Sequence, residues 1–126
     1  MKTIKLKNKH IDYSILIGNG IYKSTGSILK KYLIKKRVFI ICDLVVFNLY
    51  KNNLSSSLKR SKIDAIFIPI KVDEKKKNIK TVSSLSSKLL SFNIDRKDTI
   101  IAFGGGIVGD IVGFTASIIL RGVNFV

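Results

Sequence analysis

The chain has 126 residues, 46% of them apolar and 25% charged, and 23 Lys and Arg against 8 Asp and Glu give a formal net charge of +15. That length suits one compact domain burying on the order of two-thirds of its unfolded surface, and the apolar fraction excludes intrinsic disorder. The single cysteine, Cys42, excludes a disulfide framework, and the charged segment Met1–Lys9 lacks the apolar stretch of a secretory signal, so a reduced, cytoplasmic protein is expected.

Thr3–Lys7 and Tyr13–Ile17 read as two short strands around a polar turn, the second ending at Gly18-Asn19-Gly20. Ile21, Ile28, Leu29, Tyr32 and Leu33 share one face of a helix predicted over Ile21–Ile34. Arg37–Cys42 is a continuous apolar run after a basic turn, the pattern of a buried parallel strand, with Asp43 at its C-terminal end. Leu44, Phe47, Tyr50, Leu54 and Leu58 recur at helical spacing, and Asp64–Ile70 is the next strand. Ile79, Val82, Leu85, Leu89 and Phe92 repeat the helical period before a further strand at Thr99–Phe103. That strand runs into Gly104-Gly105-Gly106, a helix is predicted over Ile107–Leu120, and Val123–Val126 begins another strand. The alternation predicts an α/β fold: a Rossmann-like open, mostly parallel sheet with helices on both faces, in one domain over 1–126.

The charge comes from 19 Lys and 4 Arg spread from Lys2 onward, without the Arg forks or clustered aromatics that base readout and strand stacking favour. With 21 Ile and 8 Asn beside 3 Ala and 1 Pro, the basicity reads as AT-rich codon bias on a solvated surface, and no nucleic-acid partner is expected. Residues 99–120 are long enough to span a membrane, but Asp110 near the centre costs roughly 2.5–3.5 kcal/mol and five glycines accompany it, so a soluble core segment is expected. Cys42 is expected to be a buried small hydrophobe rather than a nucleophile, the one histidine, His10, being far away in a polar stretch.

In open α/β sheets ligands sit outside the carboxyl ends of the strands, where Asp43, the stretch Val72–Lys77 and the glycine turn fall. Gly104, Gly106 and Gly109 satisfy G-x-G-x-x-G between a strand and a helix, the context in which backbone N–H groups can approach a pyrophosphate. A tight turn with close helix packing is the competing reading. Asp43 either binds ribose hydroxyls or caps the following helix. For Asp110 a solvated cleft position, a polar ligand and a helix cap all stand open. Arg121 either complements a helix dipole or contacts an anion such as phosphate.

The run Ile101-Ala102-Phe103-Gly104-Gly105-Gly106-Ile107-Val108-Gly109-Asp110-Ile111-Val112-Gly113-Phe114, followed by Arg121-Gly122-Val123-Asn124-Phe125, resembles the 3-dehydroquinate synthase family, with its GGG-V-x-GD-x-x-GF loop and RGV-x-F strand start. Tyr13–Gly18 resembles that family's second strand, and Glu74-Lys75-Lys76-Lys77-Asn78-Ile79 its GE-x-x-K segment. The resemblance implies a dehydroquinate synthase-like fold, NAD, a divalent zinc or cobalt ion, and conversion of the seven-carbon keto-acid phosphate DAHP to 3-dehydroquinate with loss of phosphate. Related sugar-phosphate cyclases, polyol dehydrogenases and a non-catalytic nucleotide-binding remnant are the alternatives.

Carried onto this chain, the resemblance implies that Asp43 binds the adenine ribose. Val72, Asp73, Glu74, Lys75, Lys76 and Lys77 line the cofactor cleft, with Glu74 and Lys77 as anchors. Gly105, Gly106, Ile107, Val108, Gly109 and Asp110 cradle the pyrophosphate and reach toward the nicotinamide. Arg121 meets the substrate phosphate, in one reading that of a neighbouring subunit in a full-length homodimer. Asp73 replaces the glycine of the family's GE pair, and Val45 stands where some members carry a polar residue. The family's metal ligands, a glutamate and two histidines, are expected beyond Val126 in a helical C-terminal domain, so no catalytic or metal-binding residue is assigned here and these 126 residues alone are expected to be inactive.

Overall fold

In the computed structural model, which describes residues 1–126, Lys2–Lys7 (β1) and Asp12–Ile17 (β2) pair antiparallel, from Lys2 opposite Ile17 to Lys7 opposite Asp12. The Asn8 side-chain oxygen closes the turn by accepting from the N–H groups of His10 and Ile11, each at 2.8 Å, a local bond that lets Asn replace a backbone turn partner. This hairpin forms its own two-stranded sheet, so the expected strands are present but stand outside the main sheet.

The helix expected over Ile21–Ile34 is mostly absent. A 3-10 turn at Ile21–Ser24 leads into a five-residue helix, Thr25–Leu29 (α1), and Tyr32 and Ile34 are exposed. Neither piece has a side-chain cap, and only Gly26 and Leu29 of α1 are buried, too little to propagate a helix whose nucleation is unfavourable. Gly26 packs against the next helix so closely that a Cβ there would lie 2.2 Å from the Ser57 carbonyl oxygen, while its N–H donates to Ser57 Oγ at 3.0 Å. Gly26→Ala must push two backbones apart, and urea denaturation is expected to register a loss of about 1–3 kcal/mol.

The main sheet consists of Arg37–Asp43 (β3), Asp64–Ile70 (β4), Thr99–Phe103 (β5) and Asn124–Phe125 (β6), all parallel in the order β4-β3-β5-β6. Its crossovers are Leu44–Arg60 (α2), Ile79–Ser91 (α3) and Gly106–Ile118 (α4). Period-two alternation sends the side chains of β3 to both faces. Phe39 and Ile41 join Ile68 and Ile100 beneath α3 and α4, against Val82, Leu85, Leu89, Ile111 and Val112. Val38 and Ile40 join Ile101 on the other face, against Leu29 of α1 and Leu54 and Leu58 of α2. Pro69 costs no ladder bond in the interior because β4 is an edge strand. The final strand is shorter than expected but paired, with Ala102 N–H donating to Val126 O at 2.8 Å and Val126 N–H to Ile100 O at 2.9 Å. No helix is long and apolar enough to cross a membrane.

An ion-pair network closes the N-terminal end of the sheet. Asp98, fully buried just before β5, accepts from Arg37 Nε at 2.9 Å, from Arg37 Nη2 and from the Asp95 N–H at 2.8 Å, with Lys35 Nζ at 3.4 Å. Arg37 also donates to the Asn93 carbonyl, at 3.0 Å. Cys42 is fully buried, and burial first, then the Asp43 charge, pushes its thiol up to about 11, so it is an inert core residue.

Candidate functional site

The chain leaves β3 through α2 on one face of the sheet and leaves β5 through α4 on the other. Helices departing to opposite faces from adjacent strands open a crevice outside their carboxyl ends, the place where ligands bind in open α/β sheets. Cys42 lies opposite Phe103, so Asp43 and Gly104 come next, side by side across that crevice.

Asp43 is half-buried and caps α2, its Oδ1 accepting from Val45 N–H at 2.8 Å and Val46 N–H at 3.4 Å. The capping role weighed from the sequence is therefore present, and it occupies one carboxylate oxygen. Oδ2 has no hydrogen-bond partner in the chain and is available to a ligand. Val45 is exposed on the first turn of the same helix.

At the glycine turn the close-packing reading holds for Gly104, where a Cβ would come within 2.9 Å of Val108 Cγ2. It fails for Gly105, Gly106 and Gly109, where a Cβ would meet nothing within 4 Å. None of these three has a positive φ either. Neither packing nor backbone conformation within the chain calls for glycine there; what the missing side chains leave is open space over the start of α4. The cap residue Gly105 offers no side-chain acceptor, so the first-turn N–H groups stand uncapped, with the helix dipole behind them, until Gly109 N–H bonds to Gly105 O at 3.1 Å. Val108 turns its side chain into the core and Ile107 packs against it, so from these two the site gains backbone rather than side-chain groups.

Asp110 does not cap α4, whose N-cap is Gly105; it stands in the second turn, exposed, with Oδ2 2.6 Å from Lys77 Nζ. The hydrogen bond that Lys77 donates to Asp110, and then that carboxylate's charge, hold the Lys77 ammonium above its ordinary value. This ion pair ties Val72–Lys77 to the glycine-turn helix. A cavity of about 310 Å³ opens beside it, lined by Lys77, Asp110, Ile79, Val82, Ile111 and Phe114 among others, with Asp43 and the glycine turn outside its walls. Within the segment, Val72 packs on the core. Asp73 caps the 3-10 turn Glu74–Lys76 by accepting from Lys76 N–H at 3.1 Å. Asn78 accepts from Thr81 N–H at 2.9 Å and donates to Lys75 O at 2.8 Å, fixing the turn to α3. Glu74 and Lys75 are exposed, and Lys76 lines a separate groove.

Arg121 is not brought to the other residues. Helix α4 carries the chain from the carboxyl end of the sheet back to its amino end, about 20 Å for 13 residues, and Arg121 follows there, exposed and without an ion pair. It lies within three successive left-handed residues, Leu120 at φ 50°, Arg121 at 64° and Gly122 at 107°. A position past the C-terminus of α4 suits a cation, as the helix-dipole reading has it. No group of three or more His, Cys, Asp or Glu side chains lies together.

The family described as 3-dehydroquinate synthase N-terminal matches residues 67–126. Over 126 residues, the whole chain, the sequence is 38% identical to the 3-dehydroquinate synthase of Clostridium acetobutylicum and 40% identical to that of Clostridium kluyveri, in each case spanning 35% of the relative. Over residues 67–126 the chain is similar to the N-terminal region that this family model describes. It spans about a third of the length of these synthases. Among solved structures, 2-deoxy-scyllo-inosose synthase complexed with carbaglucose-6-phosphate, NAD+ and Co2+ matches 98% of this chain and 34% of its own, at TM-score 0.82 and 20% identity. A 2-epi-5-epi-valiolone synthase from Streptomyces hygroscopicus with NAD+ and Zn2+ bound matches 99% and 34%, at TM-score 0.77 and 24% identity. At these identities the likeness establishes the fold alone, a Rossmann-like α/β sheet shared with these two synthases.

The sequence singled out Lys77 and Asp110 separately but not their contact, since their spacing of 33 residues carries no local signal. It missed the Lys35–Arg37–Asp95–Asp98 network entirely. Two acids in the turn before an apolar strand, with two bases opening another, were a visible cue, but one that acts only once β3 and β5 are known to be neighbours.

Proposed function

We propose that this chain is the NAD-binding portion of a 3-dehydroquinate synthase, a cytoplasmic carbon-oxygen lyase that in full converts DAHP to 3-dehydroquinate with loss of phosphate. The observation that carries the reading is the glycine turn: three glycines that nothing in the chain requires, beside a helix start with uncapped N–H groups. A dinucleotide pyrophosphate needs that combination, close backbone approach and donors backed by a helix dipole.

Bound NAD supplies a hydride acceptor. The residues of this chain then bind and orient it. The first-turn N–H groups of α4 donate to the pyrophosphate through the space above Gly105 and Gly106. Asp43 accepts from ribose hydroxyls through Oδ2 while Oδ1 holds its own helix in place. Lys77 and Asp110, paired to each other, would offer the cofactor a cation and a carboxylate beyond the glycine turn. Asp73, in place of the family's glycine, directs its carboxylate into its own turn. A divalent metal is not fitted by these residues, because no three potential ligands meet. For Arg121 the role at a substrate phosphate requires a second copy, consistent with a homodimer of the full-length protein, since within one copy it stands at the wrong end of α4. By themselves these 126 residues are expected to turn over no DAHP.

Titrating NAD while following thermal unfolding tests the reading. At 100-fold excess over Kd the ligand adds about 2.7 kcal/mol to stability, and the melting temperature rises. No shift at millimolar NAD overturns it.

A further inference from the structure

A groove of about 380 Å³ runs between the end of β4 and the outward side of α3, apart from the crevice between β3 and β5. Four of its nine lining residues are lysines, Lys71, Lys76, Lys80 and Lys88, against 19 lysines in the 126-residue chain, so the groove concentrates them about threefold. None of the nine is acidic or aromatic, and two are apolar. Elsewhere lysines do find acids: Lys7 pairs with Asp12, Lys35 with Asp95 and Asp98, Lys77 with Asp110. The four groove lysines have no such partner. Of the two carboxylates nearest in sequence, Asp73 is committed to capping its own turn, and Glu74, exposed on that turn, forms no ion pair with any of the four.

We propose that this groove binds a compact small-molecule polyanion carrying two or more phosphate groups. Lys80 and Lys88, eight residues apart on α3, stand about 12 Å apart along the helix, with Ser84 midway, so one side of the groove offers two cations and a hydroxyl in a row. Lys71 from the end of β4 and Lys76 from the 3-10 turn supply charge from other elements. The volume is that of a small-molecule site. With no aromatic platform and no Arg fork, the lining recognises charge rather than a base, which favours a free polyphosphate over a nucleic-acid strand.

The test is calorimetric titration of tripolyphosphate into the chain at about 150 mM salt, where the long-range field of the +15 charge is screened beyond about 8 Å. Saturable binding at one site is expected, weakened at least tenfold in Lys80→Gln/Lys88→Gln and within twofold of the parent in Lys30→Gln/Lys31→Gln, which removes the same charge from exposed positions outside the groove. NAD affinity is expected to be unchanged in Lys80→Gln/Lys88→Gln, so this result and that for the cofactor crevice fail or succeed separately. Equal weakening in both double variants, or no saturation by tripolyphosphate while single-stranded RNA binds at the same salt, overturns the proposal.

Discussion

Asp98→Ala is expected to lower the unfolding free energy by about 3–5 kcal/mol, the cost of removing one member of a buried ion pair and stranding the other. Domains of this size have about 5–15 kcal/mol in total, so the variant sits close to the folding threshold. The expectation rests on how many donors Asp98 holds. Its fully buried carboxylate takes two bonds from Arg37 and one from the Asp95 N–H, with Lys35 close by, and so joins the start of β3 to the turn that feeds β5. Asp95, half-exposed, is the internal control: an ion pair open to water contributes little, and Asp95→Ala should leave the urea midpoint nearly in place. Equal midpoints for the two variants would remove Asp98 from this role.

The same network sets an acid limit on stability. Burial alone would raise the Asp98 carboxyl, but the Arg37 hydrogen bond, the Asp95 N–H and the Arg37 charge outweigh it and hold the group below its ordinary 3.8. Asp95 is held low as well, by Lys35 first and by the Lys97 N–H. A carboxyl depressed in the folded state adds stability that is complete above its unfolded value, about 3.9, and drains away as pH falls through the folded value. Acid unfolding of the parent should therefore steepen below about pH 4, and Asp98→Ala should flatten it.

How far the sequence could be read depends on whether a signal was local. Arg37–Cys42 was legible because a strand buried on both faces must be apolar throughout, and the helices α2 and α3 because their buried positions recur every three or four residues. The helix expected over Ile21–Ile34 failed for a non-local reason: the face was apolar, but the core fully buries only Gly26 and Leu29, takes Leu33 at its edge, and leaves Tyr32 and Ile34 exposed. That Asp43 and the glycine turn stand side by side at one end of the sheet was legible because strand neighbours follow from crossover rules, and such strand ends are where ligands gather in open sheets. Arg121 shows the limit of that logic. Eleven residues separate it from Asp110, close enough in sequence to suggest one site, yet a helix turns that interval into the length of the sheet.

Gly106→Ala should separate ligand binding from folding. The added Cβ meets no atom within 4 Å and the residue has no positive φ, so the folded state is undisturbed, while the unfolded chain loses freedom. The unfolding free energy is expected to hold or to rise by about 0.4–1 kcal/mol. NAD affinity is expected to fall at least tenfold, about 1.4 kcal/mol, because the carbon occupies the space through which the pyrophosphate reaches the N–H groups of α4. Gly104→Ala supplies the opposite pattern. Its Cβ would stand 2.9 Å from Val108 Cγ2, at the edge of the core beneath α4, and a loss of about 1–3 kcal/mol is expected before any ligand is added. One carbon moved by two positions thus tests two different reasons for a glycine, packing within the chain and access for something outside it. If Gly106→Ala binds NAD as the parent does, the space over the helix start is not where the cofactor lies, and the argument from the glycine turn falls with it.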